Sequence, residues 1–543
     1  MVRPSGVRLA AGAEFGWLGG HVDLGDRSRL LAALEKFGSP GDIDPGVPWV
    51  AVIVRADRTA LLAASTMSTS GLFWTIDIVR GSPTLLWSED LGVVVRSRHS
   101  PTSLDAGWLS AYVRGESTLT ATPYADVHRV PPGRAAAVDA QGAPSVTAWL
   151  KASWGEPDLD LEPAIREFRS VFDCAVRRLT LGRTTHAIAL SGGLDSTYAA
   201  ACVAGSLKPG AQAIGYVSSP LPALSHNPSI HAIADDLPTA RILHEHYADR
   251  LDIEAVVNWR HTCALDLAES TSRRTWWPVP APDNWVWLAD MAGRAADRGA
   301  DQLLMGTHGN WAFSRAWARV VRGGQGIRRL HRLVRAVPGL PPRRWLGETR
   351  RAPAASARVG LLRPSAAAAE SGSGTARERY LAGLAMEHAT SGPALGSAAF
   401  GGVLRVVDPF TAPDVLAVAA RIRPAAWACE PWPRGFARRV AEGSVPDAVR
   451  LRVERGAQAP DAWLWMADRR DRYLAEVDAL AKTSTLAELV DIDSLRREVR
   501  SWPWGERIGP RKPATVAVNR ILALGAFVRM TEVRLSQLPT TRR

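Results

Sequence analysis

The chain has 543 residues, of which 46% are hydrophobic and 22% charged, and this composition is typical of an ordinary globular protein with two to four domains. Its four cysteines form no CxxC pair, which argues against a zinc site or a disulfide framework and favours a reducing compartment. We expect Cys174 and Cys202, which lie in apolar helix-like stretches, to be small core residues.

The net charge of +12 fits attraction to nucleotide, to an acidic peptide or to nucleic acid, and it also fits mere coding bias. Because no RRM or zinc-finger motif is present, we expect no nucleic-acid partner. The first 20 residues do not form a signal peptide, since Glu14 interrupts their apolar stretch. No apolar run approaches the roughly 20 residues that span a bilayer. We therefore expect a cytoplasmic protein without a membrane span.

Residues 1–150 have the pattern of a β-rich region. Short runs of β-branched and aromatic residues alternate with turns, and their spacing predicts antiparallel sheets. The predicted strands are 49–57, 72–81, 85–97 and 134–142.

From about residue 160 the pattern changes to alternating strands and helices, which predicts a parallel, doubly wound sheet with ligands at the carboxyl ends of its strands. The predicted strands are 186–190, 212–219, 253–257 and 301–306, and the predicted helices are 161–180, 197–205, 235–249 and 285–299. Residues 351–376, rich in Ala, Ser, Gly and Arg, predict a flexible loop. The C-terminal third is predicted to be largely helical.

The stretch SGGLDST, residues 191–197, lies between the predicted strand HAIAL and a predicted helix. Glycines at such a junction let a phosphate approach backbone N–H groups, and the helix N-terminus favours negative charge. Ser191 and Ser196 add hydroxyl donors. Asp195 would repel phosphate, and its place is explained if it binds Mg²⁺ between itself and the phosphates. The turn lacks the lysine of a Walker motif.

This stretch resembles the PP-loop of ATP pyrophosphatases, and further segments resemble asparagine synthetases over about residues 45–465. These segments are TPYADVHRVPPGRAAAVD (122–139), DDLPTARILHEHYAD (235–249), LLMGTHGNW (303–311), VVDPF (406–410) and VPDAVRLRVERGAQAPD (445–461). The resemblance implies an α/β fold with two domains. Residues 1–155 would form a glutaminase-like, Ntn-type β-sandwich with helices, and residues 156–543 a PP-loop synthetase domain with a doubly wound parallel sheet and extra helices.

The resemblance also implies a set of site residues that bind ATP and Mg²⁺. The nucleotide-binding residues would be Leu190, Ser191, Gly192, Gly193, Leu194, Asp195, Ser196, Tyr216, Gly306 and Asn310. Asp195 and Asn310 would hold the metal. Candidates for catalysis are Asp195, Thr307, His308 and Arg455, although an exposed loop histidine is the simpler interpretation of His308. Asp235 and Asp236 either face the nucleotide cleft or complement the dipole of their helix.

Departures from the family pattern narrow the subtype. The chain begins MVRPSG, and no cysteine precedes Cys174, so the N-terminal thiol that releases ammonia from glutamine is missing. Asn310 stands where synthetases and β-lactam synthetases have Asp, and an amide oxygen binds Mg²⁺ less well than carboxylate. Arg455 stands near the usual catalytic lysine, and arginine does not carry protons.

One set of residues most resembles the pattern of lasso peptide cyclases. It consists of the stretch GTHGN and of Arg452, Arg455, Gly456, Gln458 and Asp461. That resemblance implies adenylation of an Asp or Glu side chain in a leaderless precursor core peptide, then isopeptide closure onto its N-terminal amine with release of AMP and pyrophosphate. A leader-binding protein and a leader peptidase would be partners. Three alternatives stay open at this point: a β-lactam synthetase or similar small-molecule ligase, an ammonia-dependent asparagine synthetase, and a non-catalytic scaffold of a peptide-maturation complex.

Overall fold

The computed structural model describes most of the chain in two groups of sheets and their surrounding helices. The described residues are 6–7, 15–20, 29–34, 44–115, 119–139, 144–148, 157–220, 232–233, 235–257, 263–314, 396–400, 402, 404–427, 429, 434–452, 454–502 and 512–538. The predicted loop at 351–376 lies outside these residues.

Strands before residue 150 form two antiparallel sheets, as the sequence predicts. One sheet has the order β1–β6–β5–β7 and the other β2–β3–β4–β8–β9. The strands are Gly6–Val7 (β1), Phe15–Gly20 (β2), Trp49–Val54 (β3), Ala60–Ala64 (β4), Leu72–Val79 (β5), Ser82–Ser88 (β6), His128–Val130 (β7), Arg134–Val138 (β8) and Pro144–Ala148 (β9).

The two antiparallel sheets share one apolar core. Val52 and Leu62 of the five-stranded sheet belong to the same buried cluster as Trp74 and Leu85 of the four-stranded sheet. Residues 29–34 are helical and pack on the outer face of the five-stranded sheet. Helix α1 (Leu91–Arg96) packs on β5 and β6. The layers are therefore helix, sheet, sheet and helix.

A five-stranded parallel sheet forms the centre of the second group. Its order is β13–β11–β10–β14–β15, and every neighbouring pair is parallel. Its strands are His186–Leu190 (β10), Ala213–Ser219 (β11), Leu251–Val257 (β13), Gln302–Leu304 (β14) and Arg405–Val407 (β15). After β10 the chain adds strands first on one side and then on the other. The order therefore reverses between β10 and β14, and ligands bind in the crevice at such a point.

The local sequence explains these elements. All five residues of β10 are buried, as expected for an inner strand of a sheet covered on both faces.

The remaining helices include a long amphipathic one before β10 and an apolar one at the end of the chain. They are Ala106–Val113 (α2), Leu161–Thr180 (α3), Leu194–Ser206 (α4), Leu237–His246 (α5), Ala264–Thr275 (α6), Pro282–Asp297 (α7), Gly309–Ala312 (α8), Pro413–Arg421 (α9), Pro424–Trp427 (α10), Gly435–Val440 (α11), Asp447–Arg450 (α12), Ala462–Ala467 (α13), Arg470–Leu480 (α14), Ser484–Ala487 (α15), Ile492–Arg500 (α16) and Lys512–Ser536 (α17).

An aromatic cluster joins the segments that follow three strands of the parallel sheet. Tyr198 on α4 stacks on Phe313 at a centroid distance of 4.9 Å, and Phe313 contacts Phe410 at 5.3 Å. Phe172 of α3 contacts Phe410 at 4.6 Å. Aromatic pairs at these distances stabilise by more than their buried area alone. The cluster fixes the chain just beyond β10, β14 and β15.

The antiparallel and parallel sheets are joined by a buried interface centred on Trp276. The guanidinium of Arg534 lies 3.7 Å from the centroid of its ring, and that of Arg96 lies 5.6 Å away. The Tyr124 hydroxyl donates to the Trp276 carbonyl oxygen at 3.2 Å. A methyl group on Gly92 would lie 2.2 Å from the indole, so only glycine fits there. Both regions therefore contribute to one core.

Several sequence predictions are wrong in detail. Residues 85–97 do not form one strand, because the Asp90 carboxylate accepts the Gly92 N–H at 2.8 Å and starts a helix at Leu91. Cys174 is exposed rather than in the core, since it lies on the outer face of α3. One segment, Ala514–Ser536, is long and apolar enough to cross a membrane, contrary to the prediction that none is. Most of it is buried within the protein, where it is a core helix.

Candidate functional site

The SGGLDST stretch is a turn from β10 into α4, as the sequence predicts. β10 ends at Leu190 and α4 begins at Leu194. The Ser191 and Ser196 hydroxyl oxygens are 2.7 Å apart. The Thr197 hydroxyl donates to the Gly193 carbonyl oxygen at 2.7 Å. We call residues 191–196 the glycine loop; its side chains hold it in one tight conformation.

The backbone N–H groups of the glycine loop do not all face outward, which corrects the sequence interpretation. The Ser191 N–H donates to the Ser196 hydroxyl at 3.1 Å, and the Gly193 N–H donates to the Ser191 hydroxyl at 3.2 Å. The Gly192 N–H lies beside the Asp236 carboxylate and helps to stabilise its negative charge. An anion at this loop would therefore rely on the first-turn N–H groups of α4, which have no intrahelical acceptor, and on the two hydroxyls.

A second loop packs against the start of α4 from the neighbouring strand. We call residues 305–310, which follow β14, the partner loop. A Cβ on Gly306 would lie 2.9 Å from the Ser196 Cα, and one on Gly309 would lie 2.6 Å from the Asp195 Cβ. Only glycines allow this approach. The partner loop therefore meets Asp195 and Ser196 at the point where the strand order reverses.

His308 is buried, not exposed, and it is paired with Asp408. One Asp408 carboxylate oxygen accepts both the His308 backbone N–H at 2.8 Å and its ring Nδ1–H at 2.9 Å. The other oxygen accepts the Phe410 N–H at 3.0 Å. Asp408 directly follows β15 and is itself buried. This carboxylate ties the partner loop to the next strand and fixes the histidine tautomer.

The remaining predicted residues differ in whether their side chains are buried or partly accessible. Leu190 and Leu194 have buried core side chains, so only their backbone can face a ligand. Tyr216 does not lie at the strand end; it is mid-strand in β11 and fully buried, and burial raises the pKa of its hydroxyl. Thr307 and Asn310 are half-buried, and the Asn310 amide donates to the Thr307 carbonyl oxygen at 3.4 Å.

Arg455 is near this region by its backbone, which forms strand β16 (Arg455–Gly456) with β12 (Ala232–Ile233). The arginine that contacts the glycine loop is Arg452, whose guanidinium donates to the Gly192 carbonyl oxygen at 2.7 Å. The sequence pattern contained Arg452 without giving it a role.

Asp408 was also missed as a site residue, although VVDPF placed an aspartate directly after a strand. Asp236 packs against Gly192 of the glycine loop and also stands at the start of α5, so its position fits both interpretations. Burial is the largest influence on the Asp236 carboxyl and raises its pKa, opposed by the Gly192 N–H and Arg452.

The donor set fits a nucleotide with Mg²⁺. Asp195 and Asn310 carry oxygen atoms, the ligands that Mg²⁺ prefers. Among the described residues, no group of three or more His, Cys, Asp and Glu side chains could hold a metal ion. A magnesium ion here would take its other ligands from phosphate oxygens and water, which is usual for Mg²⁺ beside a nucleotide.

Comparison with known proteins gives a match for most of the second region. The model of the family described as asparagine synthase matches residues 167–528, two-thirds of the chain. The match includes the glycine loop, the partner loop, Asp408 and Arg452. A search of curated proteins finds no match.

Proposed function

We propose that this chain, which belongs to the asparagine synthase family, is an ATP-dependent lasso peptide cyclase. Members of the family are ATP-dependent ligases, so the coarse activity follows from membership. One observation supports the proposal most directly: the intact glycine loop places Asp195 at the reversal point of the sheet, against Gly306 and Gly309 of the partner loop. A scaffold without chemistry would not need a carboxylate in that position.

In the first step, the carboxylate of an Asp or Glu side chain of the peptide attacks the α-phosphorus of ATP. The bond from the α-phosphorus to the bridging oxygen breaks, and pyrophosphate leaves. The α4 first-turn N–H groups and the Ser191 and Ser196 hydroxyls are suited to the charge of the phosphates. Asp195 and Asn310 would hold Mg²⁺, which offsets that charge. The product is an acyl-adenylate.

In the second step, the neutral N-terminal amine of the same peptide attacks the acyl carbon. The bond from that carbon to the AMP oxygen breaks, the amine loses a proton, and an isopeptide ring closes. The net change is the loss of one water from the peptide, with ATP converted to AMP and pyrophosphate. Holding amine and acyl carbon together supplies much of the rate.

His308 acts in this proposal as a positioning residue. Its Nδ1 and its backbone N–H are both committed to Asp408, and the ring is buried. Its contribution is to hold the partner loop against Asp195. Thr307, which is half-buried in the same loop, is a candidate to contact the substrate.

The N-terminal region serves as a support in this proposal. Its two stacked antiparallel sheets with flanking helices suit a glutaminase-like, Ntn-type domain. Because no cysteine stands among the residues printed before Cys174, the proposal assigns this region no thiol chemistry on glutamine. An amine supplied by the substrate itself is consistent with this. A leader-binding protein and a leader peptidase would prepare the peptide in the cytoplasm.

The test offers ATP, Mg²⁺ and leaderless peptides with an N-terminal Gly and an acidic residue seven to nine positions on. Peptide-dependent pyrophosphate release with a product lighter by one water supports the proposal. Pyrophosphate release that requires a small amino acid in place of the peptide, with or without added ammonia, indicates a small-molecule ligase. No release with any acid from a chain that binds no ATP indicates a scaffold.

A further inference from the structure

A three-residue cluster lies beneath the glycine loop and contacts both ends of one of its residues. The Asp236 carboxylate packs against the Gly192 backbone, whose N–H helps to stabilise its negative charge, and the Gly192 carbonyl oxygen accepts from Arg452 at 2.7 Å. The same guanidinium donates to the Thr239 hydroxyl and lies 3.5 Å from the Asp236 carboxylate. We call Asp236, Thr239 and Arg452 the brace.

The brace packs so closely against the glycine loop that no added methyl group fits between them. A Cβ on Gly192 would lie 2.4 Å from one Asp236 carboxylate oxygen and 2.6 Å from an Arg452 nitrogen. A Cβ on Gly456 would lie 2.4 Å from the other Asp236 oxygen. The carboxylate is therefore enclosed between two glycine backbones, one in the glycine loop and one in β16.

Both arms of the brace are anchored in turn. The adjacent Asp235 accepts the Ser219 hydroxyl and the Leu237 N–H, each at 3.0 Å, which fixes the start of α5 against the end of β11. The buried Arg438 donates to the Arg452 carbonyl oxygen at 2.8 Å. The Asp236 and Arg452 side chains are only 14% and 12% exposed, so solvent competes weakly with their contacts.

We propose that Asp236 and Arg452 are positioning residues that set the orientation of the Gly192 peptide units and thereby the nucleotide affinity of the glycine loop. Neither needs to touch the nucleotide. Arg452 also offsets the Asp236 charge, which would otherwise repel phosphate from beside the loop. The inference rests on the proposed function in that the loop binds ATP.

The first test measures binding of ATP with Mg²⁺ by calorimetry, without any peptide. Arg452→Lys keeps the charge but loses the planar fork, and Asp236→Asn removes the charge while keeping an acceptor oxygen. We expect each to raise the dissociation constant about tenfold or more, because lysine loses the planar fork that reaches Gly192 and asparagine loses the charge that attracts the Gly192 N–H and Arg452. The double variant should be little worse than the weaker-binding single one, since both act on the same residue.

A second pair of variants adds only a methyl group. Gly456→Ala would push the Asp236 carboxylate away, and we expect it to weaken ATP binding as Asp236→Asn does. Gly205→Ala is the matched control: Gly205 lies on α4 with nothing within 4 Å of an added Cβ. A further control is Arg496→Lys, in an exposed ion pair with Asp478. Both controls should bind as the unaltered chain does.

Melting curves identify variants that lose the fold. ATP affinity is then compared only among the variants that keep it. Folded Arg452→Lys, Asp236→Asn and Gly456→Ala chains that all bind ATP with unaltered affinity would overturn this inference alone. An unaltered chain that binds no ATP would overturn the proposed function and this inference with it. In turnover, a brace defect should raise the KM for ATP while leaving the KM for the peptide unchanged.

Discussion

At the scale of single residues, the site depends on glycines that are needed for close approach. Gly306 and Gly309 let the partner loop touch the first turn of α4. The sequence showed GTHGN but not what its glycines meet, because that contact joins residues more than 100 positions apart. Asp195 could be predicted from the turn itself, whereas the role of Asp408, which holds the partner loop beside Asp195, could not.

Replacing Gly309 with Ala should displace Asp195. The added methyl carbon would lie 2.6 Å from the Asp195 Cβ, closer than carbon atoms approach, so the carboxylate must move. We expect the kcat/KM for ATP to fall about 100-fold, as for an ångström-scale misplacement at a reacting centre. Pyrophosphate release measures it. Gly293→Ala, at an exposed position of α7 with nothing within 4 Å, should keep full activity; equal activity of the two variants would contradict the role of Gly309.

Asp44 should make stability depend on pH between about 4 and 6. It accepts from the Gly46 N–H and the Trp49 indole N–H, yet burial raises the pKa of its carboxyl from 3.8 to about 6. Because the folded state holds this proton more tightly, the stabilisation is present at low pH and is lost as pH rises through about 6. The loss is at most about 3 kcal/mol.

Denaturant titrations of the unaltered chain and of Asp44→Asn, from pH 4 to 7, measure that dependence. The difference in unfolding free energy between the two should change from pH 4 to about 6 and level off above about pH 6. Asp249→Asn, at an exposed position, should follow the unaltered chain throughout. A constant difference between the unaltered chain and Asp44→Asn would exclude titration of Asp44.

At the scale of elements, three strand ends build the site. β10 carries the glycine loop, β14 the partner loop and β15 the buried Asp408. Sequence periodicity predicted the first two strands but not β15, although β14 is equally short at three residues. The VVV run at 93–95 was predicted as strand, and the Asp90 cap makes it helical. Capping contacts of this kind override β propensity.

Replacing Asp408 with Asn should loosen the partner loop. One carboxylate oxygen accepts two donors from His308, and an amide nitrogen in that position would face those donors. We expect a loss of about 1–3 kcal/mol in unfolding free energy and a marked fall in turnover. Asp491→Asn, which changes the half-buried cap of α16 and keeps an acceptor for the Ser494 N–H, should do neither. Unchanged turnover in a folded Asp408→Asn chain would show that the His308 contact is dispensable.

At the scale of the whole molecule, the two groups of sheets share a core. The class of fold could be predicted from alternation of strand and helix patterns. The interface could not, because it depends on where single tryptophans and arginines meet. Glu89 illustrates this: it follows β6, and burial raises the pKa of its carboxyl while Arg405 of β15 opposes the shift. Nothing in the local sequence pairs these two residues.

Because of this shared core, we expect both groups of sheets to unfold in one transition. Trp276→Ala removes a buried ring that contacts Arg96 and Arg534, and should cost about 3–5 kcal/mol. Tyr124→Phe, which loses only the hydroxyl at the same interface, should cost about 1 kcal/mol. Calorimetry of the three chains tests this. Two separate transitions in the unaltered chain would mean that the interface does not couple the regions.

If a peptide carboxylate is activated by transfer of AMP, one of its oxygen atoms ends in the nucleotide, and isotope labelling can follow that atom. A core peptide whose acidic side chain carries ¹⁸O in both carboxylate oxygens is incubated with the chain, ATP and Mg²⁺, and the nucleotide product is analysed by mass spectrometry. We expect AMP with one ¹⁸O and a cyclic peptide with the other. AMP without ¹⁸O, or ADP with phosphate, would contradict it.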